Sequence, residues 1–325
     1  MLSFTRGRAI AIALDKDDKI VFTIHITPDQ AEPDIRVDNI LELVDDADIS
    51  NLRGGMKLGR IEVKILKQAL NTENRDKLNM SEKIKRAIEI LEQLGQDKLK
   101  KEIDFSKDPQ ISRVLPLIGA RDVAFDRSIC LVAPSEGGKT FLAKEICKFD
   151  QRKRPVIVFS KIDDDESLRE LSCLRTPADK KSRLVKIPLH SEDQLLDLPM
   201  NTDLQSTICL FDDIDSFPID IAQFLREYRD SMLESGRHNN ITVISTSHIL
   251  NNFMKTKTML NECEWVCLFP ASNKRHAFSF LKDRFGLDKA EANFFINKAM
   301  QSGRYMCMKL SAPNLLLHSK GVILI

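Results

Sequence analysis

This sequence is short of several things, and each absence excludes a class of protein. No run of its 325 residues approaches the ~20 consecutive apolar positions that a membrane helix needs. The opening Met1-Leu-Ser-Phe-Thr-Arg-Gly-Arg8 carries no apolar core of signal-peptide length. A soluble, intracellular protein is expected. The seven cysteines, an odd number, stand at 130, 147, 173, 209, 263, 267 and 307 without a C-x-x-C pair. That points to a reducing compartment, with neither a disulfide framework nor a zinc site. Neither sign of charge is in excess: 49 Lys and Arg against 48 Asp and Glu leave a net +1. Without an overall basic field, any contact with nucleic acid has to be local, as in the lining of a ring's pore.

What is present begins with an apolar run, Ser128-Ile-Cys-Leu-Val132. It is followed by Ala133-Pro134-Ser135-Glu136-Gly137-Gly138-Lys139-Thr140 and then by Phe141-Leu-Ala-Lys-Glu-Ile-Cys147. Strand, glycine loop and helix in that order make a P-loop, G-x-x-x-x-G-K-[ST]. The loop N–H groups and the positive end of the helix cradle the phosphates of a nucleotide such as ATP, the lysine reaches the β- and γ-oxygens, and the hydroxyl holds Mg²⁺. Ala133 to Thr140 is therefore the candidate nucleotide-binding segment, with Gly138, Lys139 and Thr140 at the three chemical positions. Ala133 replaces the pattern's first glycine, a change small enough to be tolerated. A chance Gly-Gly-Lys-Thr turn is the competing explanation, and the flanking strand and helix count against it.

A P-loop needs an acid for its metal. Thr207-Ile-Cys-Leu-Phe211 followed by Asp212-Asp213 reads as a buried parallel strand with carboxylates at its C-terminal edge. Asp212 is placed to hold Mg²⁺ through its water shell, and Asp213 to orient and deprotonate the attacking water. Asp215 is a third acid, and part of this cluster has the alternative task of capping the helix that Pro218 introduces. A further strand, Ile241-Thr-Val-Ile-Ser245, ends in Thr246-Ser247-His248. There Ser247 or His248 can sense a γ-phosphate, or cap the segment that begins at Ile249.

Along the chain, Arg8 to Leu14 and Ile20 to Ile26 alternate as two strands of a hairpin turned by Asp15 to Lys19. From Ser81, the residues Ile84, Ala87, Ile88, Leu91 and Leu94 share one helical face as far as Gly95. The charged stretch 96–110, with Lys98, Lys100 and Lys101 as a solvated basic face, reads as a linker. This divides the chain into an N-terminal region, 1–107, of unknown role, and a P-loop domain, 108–325. In the second part, runs at 154–159, 184–187, 207–211, 241–245 and 265–269 alternate with helices, among them one from about Ile219 to Ser235. Two helical stretches within 274–299 and short closing strands from Tyr305 to Ile325 follow. The expected class is α/β: a mostly parallel sheet with helices on both faces, plus a small N-terminal α+β region.

Three segments together carry a family resemblance: Val156-Ile-Val-Phe-Ser-Lys-Ile-Asp-Asp-Asp165, the Phe211-Asp212-Asp213 run, and Ser235-Gly-Arg-His-Asn-Asn-Ile-Thr-Val-Ile-Ser-Thr-Ser-His248. With the P-loop, they resemble the poxvirus-type genome-packaging ATPases of large DNA viruses, a branch of the RecA-like HerA/FtsK superfamily. The resemblance covers about residues 115 to 325 and none of the first hundred, and the Gly-Arg-His-Asn-Asn segment is its most telling part. It implies an additional-strand P-loop fold, assembly into a homo-oligomeric ring, and ATP-driven translocation of double-stranded DNA into a preformed capsid. Capsid or portal-vertex proteins would be partners, and the host-cell cytoplasm or the virion the place of work. The resemblance also implies an arginine offered to a neighbour's γ-phosphate. Arg237, which precedes the sensor strand, is the candidate, with Arg226 and Arg229 behind it and a structural ion pair as the alternative role. The chain departs from the superfamily in two places. Thr246-Ser247-His248 stands where glutamine is frequent, and Asp213 stands where glutamate is usual, although the double aspartate is similar to the poxvirus-type branch.

Two other functions fit the same residues. One is a cellular or mobile-element translocase of the same superfamily. The other is a non-motor protein that uses the nucleotide to set its assembly state or its association with a capsid. The pair Asp212 and Asp213 counts against the second, because a site that only binds has no need of a water activator.

Overall fold

The computed structural model describes residues 1–4, 7–27, 101–120, 128–162, 165–187, 189, 192–249 and 253–325. The helix expected from Ser81 to Gly95 lies outside them, as do Lys98 and Lys100. The chain divides into two compact units, Met1–Gly7 with Ile24–Lys101, and Arg8–Thr23 with Glu102–Ile325. In the first, strand β1 (Leu2–Ser3) pairs antiparallel with His25 and Ile26, and the Met1 ammonium donates to the Thr27 carbonyl at 2.9 Å.

The second unit opens on β2 (Arg8–Leu14), which turns into the first residues of β3 (Ile20–Ile26) as the alternating pattern predicts, the residues of β3 from Ile24 on belonging to the first unit. The Asp15 carboxylate makes that turn by accepting N–H bonds from Asp17 and Lys19 at 2.8 and 2.9 Å. After β4 (Glu102–Asp104), strand β5 (Arg113–Pro116) pairs antiparallel with β2.

The chain then builds a large sheet. Its elements in order are β6 (Ile129–Val132), α1 (Lys139–Lys148), β7 (Val156–Ser160), α2 (Arg169–Cys173), β8 (Leu184–Ile187), β9 (Ile208–Asp212), α3 (Ile219–Ser235), β10 (Thr242–Ser247), α4 (Phe253–Glu262), β11 (Trp265–Leu268), α5 (Lys274–Phe285), α6 (Lys289–Ser302), β12 (Met306–Lys309), β13 (Leu315–His318) and β14 (Gly321–Leu324). Among the described residues the strand order is β4-β14-β13-β12-β11-β6-β10-β9-β7-β8. Neighbours are parallel from β11 to β8 and antiparallel from β11 through β12, β13 and β14 to β4. This is the mostly parallel α/β sheet of a P-loop NTPase. Strand β10 lies between β6 and β9, the additional-strand order that the resemblance implies.

The sequence explains these elements. Every residue of β6 and β9 is buried, as continuous apolar runs in a parallel sheet require. Helix α3 buries Ile221, Ala222, Leu225, Met232 and Leu233 on one face, a helical spacing. Helix α6 starts at a capping box, with Asp288 accepting from the Glu291 N–H while Glu291 accepts from the Asp288 N–H. Strands β7, β9 and β10 run one or two residues beyond their apolar cores, because Ser160 pairs with Asp212 and Ser247 with Val132 in register. Polar residues at the edge stay in the ladder, which apolar periodicity alone does not show. No helix among the described residues is long and apolar enough to cross a membrane.

One expectation is corrected. Cys267 and Cys307 face each other across β11 and β12 with Cα atoms 3.9 Å apart, and they are joined as a disulfide. A separation of 40 residues hides the pair in the sequence, since strand register alone brings it together. Cys130, Cys147 and Cys209 are buried free thiols, and burial pushes each up to about 12.

Where the parallel strands begin, three charges are locked in the interior. Arg154 Nη2 lies 2.9 Å from Asp150 Oδ1, and Arg183 Nη2 lies 3.6 Å from Asp150 Oδ2, with all three side chains buried. The arginines spend their other donors on the Asn240 carbonyl, the Thr242 hydroxyl, and the Arg154 and Cys147 carbonyls at 2.8 to 3.1 Å. Asp150→Ala would strand two buried cations. It should lower stability by about 3–5 kcal/mol, the cost of removing one partner from a buried pair, measured as a drop in the denaturant midpoint.

Candidate active site

Strands β6, β10 and β9 end side by side. Val132 is level with Ser247, and Phe211 with Ser245. The segments that leave this edge, Ala133 to Thr140, Asp212-Asp213 and Thr246 to His248, therefore converge by register alone.

The loop is anchored by the Ala133 N–H, which donates to the Ser247 carbonyl at 3.1 Å. Gly138, at φ 94°, caps α1 in a left-handed conformation that favours glycine. A Cβ on Gly137 would fall 2.6 Å from the Ala133 methyl and 2.9 Å from the Pro134 carbonyl oxygen. Ala133 is thus tolerated because a glycine faces it. Pro134, Ser135 and Glu136 form the exposed rim. Lys139 is 7% exposed, and its ammonium turns back to donate to the Ala133 and Pro134 carbonyls at 2.8 and 3.1 Å. Burial pulls its pKa down, opposed by the nearby Asp213 and Asp212 carboxylates.

Thr140 Oγ1 stands 3.2 Å from both carboxylate oxygens of Asp212. Burial pushes the Asp212 carboxyl above its ordinary range, hydrogen bonds from Thr246 and Thr140 oppose this, and the charges of Asp165 and Asp213 add to it. Among the described residues Asp212 has these hydroxyl partners and no ion pair. A hydroxyl and a charge-hungry carboxylate are hard oxygen donors, and they fit Mg²⁺. Asp213 sits at φ 49°, ψ 45°, and its Oδ1 is 2.8 Å from His248 Nε2. His248 Nδ1 is in turn 3.4 Å from the Lys139 ammonium. Lys139, His248 and Asp213 make a continuous polar row across the mouth of the loop.

Other candidates are placed elsewhere. The Ser247 hydroxyl donates to the Ile249 carbonyl at 3.0 Å and so holds the turn after β10. Asp215 pairs with Arg226 at 2.7 Å, and Arg229 with Asp230 at 2.7 Å. Arg237 is exposed on a 3₁₀ turn before β10, at the opposite edge of the sheet, where it lines a cavity of about 570 Å³. The structure does not bring Arg237 to this chain's own loop. Thr246 is the residue that periodicity missed: its hydroxyl donates to Asp212 Oδ1 at 2.8 Å and accepts from the Asp213 N–H at 2.9 Å. The available signal was its place in the polar tail of a strand lying beside the acids.

No family model matches the chain. Over 202 residues it is 31% identical to a protein of the Sputnik virophage named Uncharacterized protein V3, an alignment spanning 60% of this chain and 76% of that one. The chain belongs to the family of that virophage protein. Solved structures similar to this V3-family chain include the genome packaging NTPase B204 from Sulfolobus turreted icosahedral virus 2. In complex with sulfate it gives a TM-score of 0.39 at 12% identity, over 61% of this chain and 97% of that one. In complex with ATP-gammaS it gives 0.35 at 12% identity, over 60% and 97%. B204 from Sulfolobus turreted icosahedral virus, a DNA-packaging ATPase, gives 0.38 at 12% identity, over 61% and 98%. Likenesses of this degree assign no activity to the V3-family chain.

Proposed function

We propose that this chain is an Mg²⁺-dependent ATPase motor that translocates double-stranded DNA in viral genome packaging. The contact between Thr140 and Asp212 carries the proposal. A P-loop hydroxyl and a strand-end carboxylate 72 residues apart meet at 3.2 Å, where the metal of a P-loop nucleotide site is held. Mg²⁺ bound between them would neutralise charge developing on the phosphates. The loop N–H groups and the start of α1 would receive the phosphates. Lys139 would exchange the Ala133 and Pro134 carbonyls for phosphate oxygens. Asp213 would orient the attacking water and take its proton, with His248 beside it reading the γ-phosphate. Arg237, exposed and without an ion pair among the described residues, would reach a neighbouring subunit's nucleotide in a ring.

The virophage origin of the relative favours viral work in an infected cell, with capsid or portal-vertex proteins as partners, over a cellular translocase. The test is ATP hydrolysis by the purified chain with and without duplex DNA, alongside its native mass. Hydrolysis stimulated by DNA in an oligomer is expected. A monomer whose turnover ignores DNA would favour the non-motor alternative.

A further inference from the structure

We infer that Thr246 is a positioning residue that sets both carboxylates of the site at once. The inference rests on the ATPase proposal above and adds a residue to it. Thr246 belongs to β10, between the P-loop strand and the acid-bearing strand. In register it pairs with Leu131 on one side and lies one step beyond the Ser245–Phe211 pair on the other, level with Asp212. It is 2% exposed. A buried hydroxyl has one hydrogen to give and lone pairs to accept, and here both capacities go to adjacent residues of the same acidic pair. The hydrogen goes to Asp212 Oδ1 at 2.8 Å, and a lone pair takes the Asp213 N–H at 2.9 Å.

The two bonds do different things. The first fixes the rotation of the Asp212 carboxylate, so that both its oxygens stand 3.2 Å from the Thr140 hydroxyl. The second satisfies the N–H of a non-glycine residue in the left-handed region, φ 49° and ψ 45°, a conformation that persists only when its surroundings over-determine it. That conformation swings the Asp213 side chain away from the strand and onto His248, at 2.8 Å. A single hydroxyl thus holds the proposed metal-facing acid and the proposed water-facing acid in fixed relation.

The test compares Thr246→Ser with Thr246→Ala. Both remove the methyl, and only alanine removes the hydroxyl. With MgATP as substrate, Thr246→Ser should keep most of the wild-type kcat. In Thr246→Ala, kcat should fall about 10²-fold, the scale of loss when catalytic groups are misplaced by about an ångström, while KM and the affinity for ATPγS stay close to wild type. Equal losses in the two variants, whether of turnover or of folding seen by thermal melting, would assign the residue to packing and overturn the inference. So would wild-type kcat in Thr246→Ala. Wild-type protein that hydrolyses no ATP would instead bring down the ATPase proposal, and this inference with it.

Discussion

Asp213→Asn should bind ATP as the wild type does and hydrolyse it about 10²–10⁴-fold more slowly, the contribution of a positioned general base. The substitution is chosen for what it leaves alone. Asparagine matches aspartate in shape and tolerates the left-handed conformation at φ 49°, so the Thr246 contact to the backbone N–H and the course of the chain into α3 should persist. What goes is the negative charge that is proposed to take a proton from water and that faces His248 at 2.8 Å. Single-turnover hydrolysis, read beside ATPγS affinity, separates the two effects. Unchanged turnover would eliminate Asp213 as the base and shift attention to His248.

Lys139→Ala should lose both binding and turnover. The ammonium is the one cation that the loop itself carries, and it is already desolvated, which would strengthen its proposed hold on phosphate. Removal of a single preorganised donor from a water-poor site costs about 10²–10³-fold in rate. Here ground-state affinity is lost as well, so turnover at moderate ATP should fall below detection. The fold should survive: alanine favours the first turn of α1, and of the two released carbonyls that of Pro134 lies on the exposed rim of the loop, where water can reach it. A melting temperature near wild type together with retained activity would remove Lys139 from the mechanism.

Much of this architecture was legible in the residues, for identifiable reasons. The P-loop could be read because its chemistry demands Gly138, Lys139 and Thr140 in one order between a strand and a helix. The hairpin from Arg8 to Ile26 could be read because two mostly apolar runs, alternating well enough for strands, flank the polar turn from Asp15 to Lys19. The acid strand announced itself as an unbroken apolar run ending in Asp212. Features that depend on which strand lies beside which could not be read in this way. The disulfide between Cys267 and Cys307 and the double contact of Thr246 follow from pairing register, and periodicity within one strand carries no trace of its neighbour. The choice between Ser247 and His248 was likewise open in the sequence, because a strand end gives two adjacent residues opposite directions. Geometry turns the hydroxyl of Ser247 to the Ile249 carbonyl and leaves the imidazole of His248 at the loop.

Strand β10 is tied down at both tips. At its start, Thr242 is clamped by Arg154 of the interior charge cluster, and at its finish, Thr246 grips the acids while the Ser247 carbonyl holds the loop. Six residues of extended chain span about 20 Å, with no slack between the fastenings. Arg237 leads into one tip and His248 leaves the other, so the fastenings of a single strand set where both residues stand.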